Sequence, residues 1–320
     1  MFIIRHRRFF FILTGLLLVL SVLAVLVFPP RLSIEFTGGS LLEVRYADGA
    51  GAALERPQLS ELRERVESVG LGEASVRESG ESAVTVRSRT LSPEERDQLV
   101  SSLAGGSPVE VLRSNTIGPS LGNELATKAL YAIGVVSLAI VLYIAFAFRG
   151  LSRPVPSWAY GIVAVLMLAI DIIVPTGFFA AYAAFTGAQV DSLFVIALLA
   201  LLGYCVNDVI VIFDRVREHL RWNARDEVTE PFETTVGKSI DETMGRSINT
   251  GLTVVLALLA LIVFGSEATR NFAIVMMVGV AAGTFSSVTR SAPLLIPIAS
   301  WLEGRRAAKA ALAPAEGPAA

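Results

Sequence analysis

A polytopic α-helical membrane protein with one small α+β domain is the fold class that three observations predict. Of the 320 residues, 53% are hydrophobic and only 18% charged, against about 25% charged in a soluble domain. Six long apolar runs recur along the chain, and about 20 apolar residues cross a ~30 Å hydrocarbon core. Residues 29–122 break the pattern, being charged and lacking any long apolar run. The net charge of −2 says nothing about partners, because the two signs are segregated along the sequence. Cys205 is the one cysteine and sits in an apolar run, so it reads as a small buried side chain.

Residues 1–8 carry Arg5, His6, Arg7 and Arg8 ahead of the first apolar run, 9–28. That run is longer than a signal-peptide core and is followed by Phe28-Pro-Pro-Arg31 in place of a small-residue cleavage site, so it reads as a retained span. In the charged segment, strands are expected at 41–46, 75–78, 83–87 and 109–112. Residues 57–69 form a helix with Leu59, Leu62, Val66 and Val69 on one face. Ser92-Pro-Glu-Glu95 is a capping box with proline at the first helical position, opening a second helix to about Leu103. The order β-α-β-β-α-β predicts a ferredoxin-like domain. It holds no His/Cys cluster and no nucleophile–base pair.

Gly118, Pro119 and Gly122 read as a hinge into the second span, 123–148. A short basic loop, 149–153, precedes the third span, 157–181, which contains Asp171 and Pro175. The fourth span is 190–213, followed by a charged amphipathic segment at 214–239. The fifth is 240–265 and the sixth 271–302, the latter broken by Pro293 and Pro297. An alanine- and proline-rich tail, 303–320, is expected to be disordered. Arg5, Arg7, Arg8, Arg149, Arg153, the 214–239 segment, Arg305 and Arg306 all fall on one side, whereas the short loops opposite carry only Arg270. By the positive-inside rule both termini are cytoplasmic and the α+β domain is extracytoplasmic.

Ionisable residues inside spans are rare and mark function or a partner. Asp208 follows Asn207 in the fourth span, six residues before Asp214, or ~9 Å along a helix. Thr243, Arg246, Asn249 or Thr250, and Thr253 recur at helical spacing on the fifth span as one polar stripe. Arg246 and Asp208 enter from the same side and can meet. Three readings stay open: a static pair fixing register, an arginine that snorkels past Asp208, or a proton site whose charge follows conformation. Asp171 and Arg290 are further charges within the spans. Gly203, Gly279 and Gly283 are candidates for close helix packing, the last two as GxxxG.

Four motifs in order along nearly the whole chain resemble those of the SecF family, within the RND-type transporter superfamily. They are Phe36-Thr-Gly-Gly39, Ile117-Gly-Pro-Ser-Leu-Gly122, Gly203-Tyr-Cys-Val-Asn-Asp208 running into Phe213-Asp-Arg-Val-Arg-Glu218, and Gly283-Thr-Phe-Ser-Ser287. The resemblance implies six transmembrane helices with a ferredoxin-like α+β periplasmic domain between helices 1 and 2, in the bacterial cytoplasmic membrane. It also implies a SecD partner, docking to the SecYEG channel, indirect links to SecA and a YidC-type insertase, and a translocating preprotein as client. Proton-motive force would drive export, with proton against sodium left open, no other cofactor, no metal, no nucleic acid and no enzymatic active site. Carried over by residue, the proton pathway falls on Asp208, Arg246 and Asp171, with Asn207 beside them. A half of a lipid or drug exporter, or a passive scaffold, are the rival readings. Two departures stand out: Leu32-Ser-Ile-Glu35 replaces a Gly-Ile-Asp type of lead-in, and Arg290 occupies a position that is apolar or small in the family. Arg290 is open to two readings, reaching the cytoplasmic side or neutralising a carboxylate of the partner.

Overall fold

Apolar helices too long for a small soluble core dominate the computed structural model, which describes residues 1–48, 52–72, 74–149, 155–228 and 230–311. In chain order the first elements are α1 (Phe2–Arg5), α2 (Arg7–Val27), α3 (Ile34–Thr37), β1 (Gly39–Tyr46), α4 (Leu59–Ser68), β2 (Ser75–Ser79) and β3 (Ala83–Ser88). They continue as α5 (Pro93–Ala104), β4 (Val109–Ile117), α6 (Pro119–Ala147), α7 (Ser157–Thr186), α8 (Ser192–Arg225) and α9 (Phe232–Phe264). Last come α10 (Glu267–Ser286), a π-helical turn (Ser287–Ser291) and α11 (Leu295–Ala311). The chain divides into two units. One holds residues 1–30, 132–188 and 193–320, and the other holds 31–131 with 189–192.

Six helices of the described chain are long and apolar enough to cross a membrane: α2, α6, α7, α8, α9 and the run Thr269–Arg305. Within the helical unit they are not equivalent. Half of the most apolar window of α7 is buried, but only 6% of that of α6 and 11% of that of α2. So α7, α8 and the α10–α11 run form the centre, and α2, α6 and much of α9 present apolar surface outward. Phe148 stacks on Tyr160 at 5.3 Å, and both meet Phe213 edge-on, which ties the end of α6 and the start of α7 to the middle of α8. Gly177 lets α2 cross α7 closely, since a Cβ there would run into the Ser21 backbone.

Two expected segments take another form. Residues 214–239, read as a separate amphipathic segment, are the extensions of α8 to Arg225 and of α9 from Phe232. The extensions are joined by a short turn at which Glu227 takes a left-handed φ of 52°. No helix breaker interrupts residues 214–225, so the α8 helix runs on past its apolar stretch. Arg215 bridges to Glu218 at 2.5 Å and to Glu242 across the helix pair, and His219 Nε2 lies 3.1 Å from Glu242. Likewise the expected disordered tail begins as helix, since α11 runs to Ala311 through good helix formers. The rest of that tail, 312–320, and residues 150–153 of the basic loop lie outside the described residues.

The second unit is the ferredoxin-like domain. Its sheet has the order β2-β3-β1-β4 with every neighbour antiparallel. Leu42, Val44, Val76, Val84 and Val86 alternate inward against Leu62, Val66, Leu99 and Leu103 of α4 and α5. The Ser92 capping box forms as the sequence predicts, with Glu95 reaching back to the Ser92 backbone. Burial of a tyrosine needs a hydrogen-bond partner, and Tyr46 finds it in the Leu103 carbonyl at 2.7 Å.

Glycines set the entrance to this unit. Gly38 and Gly39 take φ of +74° and +127°, which side chains disfavour. A Cβ on Gly38 would lie 2.7 Å from Pro119 Cα, and one on Gly122 would lie 2.6 Å from the Gly38 nitrogen. The expected hinge at Gly118, Pro119 and Gly122 is therefore a packed helix start. Proline opens α6, where it has no N–H to leave unbonded, and Gly122 sits against the backbone of the double glycine. Glu35 explains the unusual lead-in: its carboxylate accepts from Ser192 N at 2.7 Å and so caps the first turn of α8.

Gly122→Ala is expected to lower the melting temperature of the detergent-solubilised protein. Gly134→Ala, where a Cβ meets nothing within 4 Å, leaves it unchanged. A second expectation concerns pH. Glu95 is held down to about 2 by its hydrogen bond to Arg89, then by the Ser92 backbone. Its folded value lies below the unfolded one of about 4.3, so its stabilisation is complete above that value and is lost as pH falls towards 2. Glu95→Gln removes that part of the acid dependence, measurable by comparing unfolding of the two proteins across this window.

Candidate functional site in the spans

Hydrocarbon cannot solvate charge, so ionisable side chains at membrane depth turn inward and pair. The helical unit buries Asp171 on α7, Asp208 on α8 and Arg290 on the π turn, each 4% exposed or less. Asp171 faces the Arg290 guanidinium, with Cys205 and Asp208 beside it. Gly283 makes room for this, because a Cβ there would overlap the Cys205 sulfur and lie 3.5 Å from Asp171 Oδ1. One turn earlier Gly279 is pressed on Leu201 in the same way. The GxxxG pair thus seats α10 on the Leu201–Cys205 ridge of α8. Gly203, by contrast, has nothing among the described residues within 4 Å of where a Cβ would stand.

This charge centre is not closed. Asp171 Oδ1, Arg290 Nε and Arg290 Nη1 are buried without hydrogen-bond partners among the described residues. A buried charge lacking its partner costs about 3–5 kcal/mol, and a native chain keeps such groups where function uses them. Arg290 Cζ also lies 5.7 Å over the Phe285 ring, within cation–π range. Its place is set by the π turn. Pro293 lacks the N–H that an α-helix would supply to the Thr289 carbonyl, and the chain widens at Ser287–Ser291 before resuming as α11. Beside the two open readings of Arg290 stands a third arrangement, in which it lies under the influence of a carboxylate of its own chain, Asp171.

Asp208 is the second half of the site. Its Oδ2 is buried without a partner, and the groups acting on it from α9 are Ser247 and Arg246. No ion pair within 4.0 Å joins Asp208 to Arg246 among the described residues. The polar stripe expected on the fifth span splits in two. Thr243 and Ser247 face inward, 7% and 1% exposed. Arg246, Asn249 and Thr253 face outward, as does Asn207 on α8. Helical spacing alone cannot separate positions 246 and 247, which lie only 100° apart on the helix. The contribution of Ser247 was not readable from the sequence, because one serine in a run of small polar residues carries no signal.

Comparison with known proteins fits this architecture. The family described as protein export membrane protein SecD/SecF, C-terminal, matches residues 99–301, and the SecD/SecF GG motif matches 23–50. The chain belongs to the SecF family of protein translocase subunits. A relative from Thermobaculum terrenum, protein translocase subunit SecF, is 33% identical over 93% of each chain. The crystal structure of SecDF from Thermus thermophilus, described as translocon-associated, matches with a TM-score of 0.77 and 30% identity. The match covers 94% of this chain and 38% of that one, so the chain spans about two-fifths of the SecDF polypeptide. SecDF in a super-membrane-facing form matches less well, with a TM-score of 0.65. Family and spans together make this SecF relative a multi-pass membrane protein of protein translocation. The double glycine of the family motif is the Gly38–Gly39 pair whose positive φ angles are described above.

If Asp171 and Arg290 form one unit, removing either alone strands the other. Arg290→Met and Asp171→Asn are each expected to lower thermal stability in detergent. The double variant should recover much of the loss, giving a coupling of about 1–3 kcal/mol in a double-mutant cycle. Additive losses would show that the two side chains act separately.

Proposed function

We propose that this chain is the SecF half of a proton-driven export complex in the bacterial cytoplasmic membrane, with both termini cytoplasmic. Its partner is a SecD-type half with six further spans. The pair works at a SecYEG channel after SecA, near a YidC-type insertase, and draws the preprotein outward. The observation that carries this reading is the outward polar face. Asn207, Arg246 and Asn249 are exposed at membrane depth, where lipid offers them no hydrogen bonds. A second membrane half placed there would cover them and bring its own polar groups to the Asp208 side.

In this mechanism Asp208 takes up and releases the proton. Arg246, close enough to act on Asp208 but not locked to it, supplies the charge that favours release. Ser247, buried on α9 beside Asp208 with its Oγ unpartnered among the described residues, is placed to bond the carboxylate as it turns. Asp171 stays tied to Arg290 and keeps α7, α8 and α10 in register while Asp208 changes charge. Because α6 begins in the Gly38–Gly122 contact and continues as the second span, repacking of the spans is passed along α6 to the sheet domain. The separate SecDF forms among the solved relatives support a moving machine. No covalent bond is made or broken at any step.

Asp208→Asn is expected to co-purify with its SecD partner and to lose stimulation of export by the proton-motive force. The measurement is preprotein export into energised inverted membrane vesicles carrying the complex. Full stimulation in the variant would overturn the reading.

A further inference from the structure

The ferredoxin-like unit contains a cleft of about 840 Å³ lined by Arg31, Thr37, Gly38, Ser75, Arg87 and Ser88, among others. Its charge is unbalanced. Arg87 Nε is buried without a hydrogen-bond partner, and Arg31 and Arg77 press like charge on Arg87. Glu67 is the one acidic group lining the cleft among the described residues, and it forms no ion pair with either Arg31 or Arg87. Two guanidinium groups that form no ion pair among the described residues, beside hydroxyls and left-handed glycine backbone, make a receptor for an oxyanion. Arginine suits phosphate in particular, because its planar fork can bond two oxygens at once.

The chain itself says where this cleft lies. Arg31 is four residues past Val27, the last residue of α2, and four extended residues reach at most about 14 Å. On its other side the Arg31 carbonyl accepts from Val190 N at 2.9 Å, and Ser33 N donates to Val190 O at 2.8 Å. Val190 is two residues before Ser192, where α8 begins. The short covalent tether from the end of α2 keeps Arg31 within reach of lipid headgroups.

We propose that this cleft binds the phosphate of an anionic phospholipid headgroup, with Arg31 and Arg87 as the ligating cations. A lipid held there would brace the entrance to the sheet domain, because Thr37 and Gly38 of the cleft wall belong to the glycine contact that opens α6.

Native mass spectrometry of the full-length detergent-solubilised chain tests this, titrating phosphatidylglycerol against phosphatidylcholine. Phosphatidylglycerol adducts are expected to exceed phosphatidylcholine adducts and to fall roughly fivefold for each arginine removed in R31Q and R87Q. R87K, which keeps the charge but loses the planar fork, should fall between the unaltered chain and R87Q, and Arg63→Gln, an exposed control on α4, should retain all of the binding. Melting curves confirm that each variant is folded. Equal adducts in the R31Q/R87Q double variant would overturn the proposal. Displacement of the lipid by inorganic phosphate would reassign the cleft to a free anion, and displacement by an acidic peptide would reassign it to a polypeptide. Either result rejects the lipid.

Discussion

Charge that hydrocarbon will not solvate is the constraint on which the helical unit depends. Three apolar helices would pack against one another in many registers, since lipid and leucine are equally apolar. One register of these helices lets Asp171 and Arg290 feel each other's opposite charge. Gly279 and Gly283 then allow α10 to approach α8 closely enough for that register to close. The π turn at Ser287–Ser291 does the rest, carrying Arg290 inward at a point where Pro293 rules out a regular helix. Packing, proline chemistry and electrostatics therefore converge on one place in the bundle.

The same constraint separates two kinds of polar group. Asp171 and Arg290 act on each other within the chain, although Asp171 Oδ1 and Arg290 Nε and Nη1 stay without hydrogen-bond partners among the described residues. Asp208 is different: it is buried, yet it borders the outward face that bears Asn207 and Arg246. A carboxylate placed at such a boundary can change its surroundings when a neighbouring half moves. That is the physical basis for assigning proton exchange to Asp208 and register to Asp171. Outside the membrane the glycine contact plays a comparable part, since backbone this closely packed passes displacement on with little compliance.

Much of the fold was legible in the residues because membrane helices and small α+β domains leave strong local signals. Long apolar runs marked the spans, and the Ser92–Glu95 box marked the start of α5 to the residue. The site was legible only in part. Asp208 and Asp171 were conspicuous as charges in apolar runs, but the partner of Asp171 was hidden. A π turn shifts the face on which Arg290 falls, and no 3.6-residue periodicity reports it. Arg246 faces outward yet acts on Asp208, and a polar stripe wide enough to cover both faces does not tell these roles apart. Glu35 stands out in the sequence only as a departure from the family lead-in, and only the structure reveals its bond to the first turn of α8. The hinge at Gly118–Gly122 shows the ambiguity of glycine, which serves flexible turns and tight contacts alike.

The central proposal is that Asp208 exchanges a proton while Asp171, under the influence of the Arg290 charge, keeps its charge state constant. Infrared difference spectroscopy of the reconstituted SecD-paired complex, across a pH step, observes carboxyl protonation directly. The account predicts a carboxylic-acid band that changes with pH, is absent in Asp208→Asn and is unaltered in Asp171→Asn. A band that survives Asp208→Asn and disappears with Asp171→Asn would contradict it.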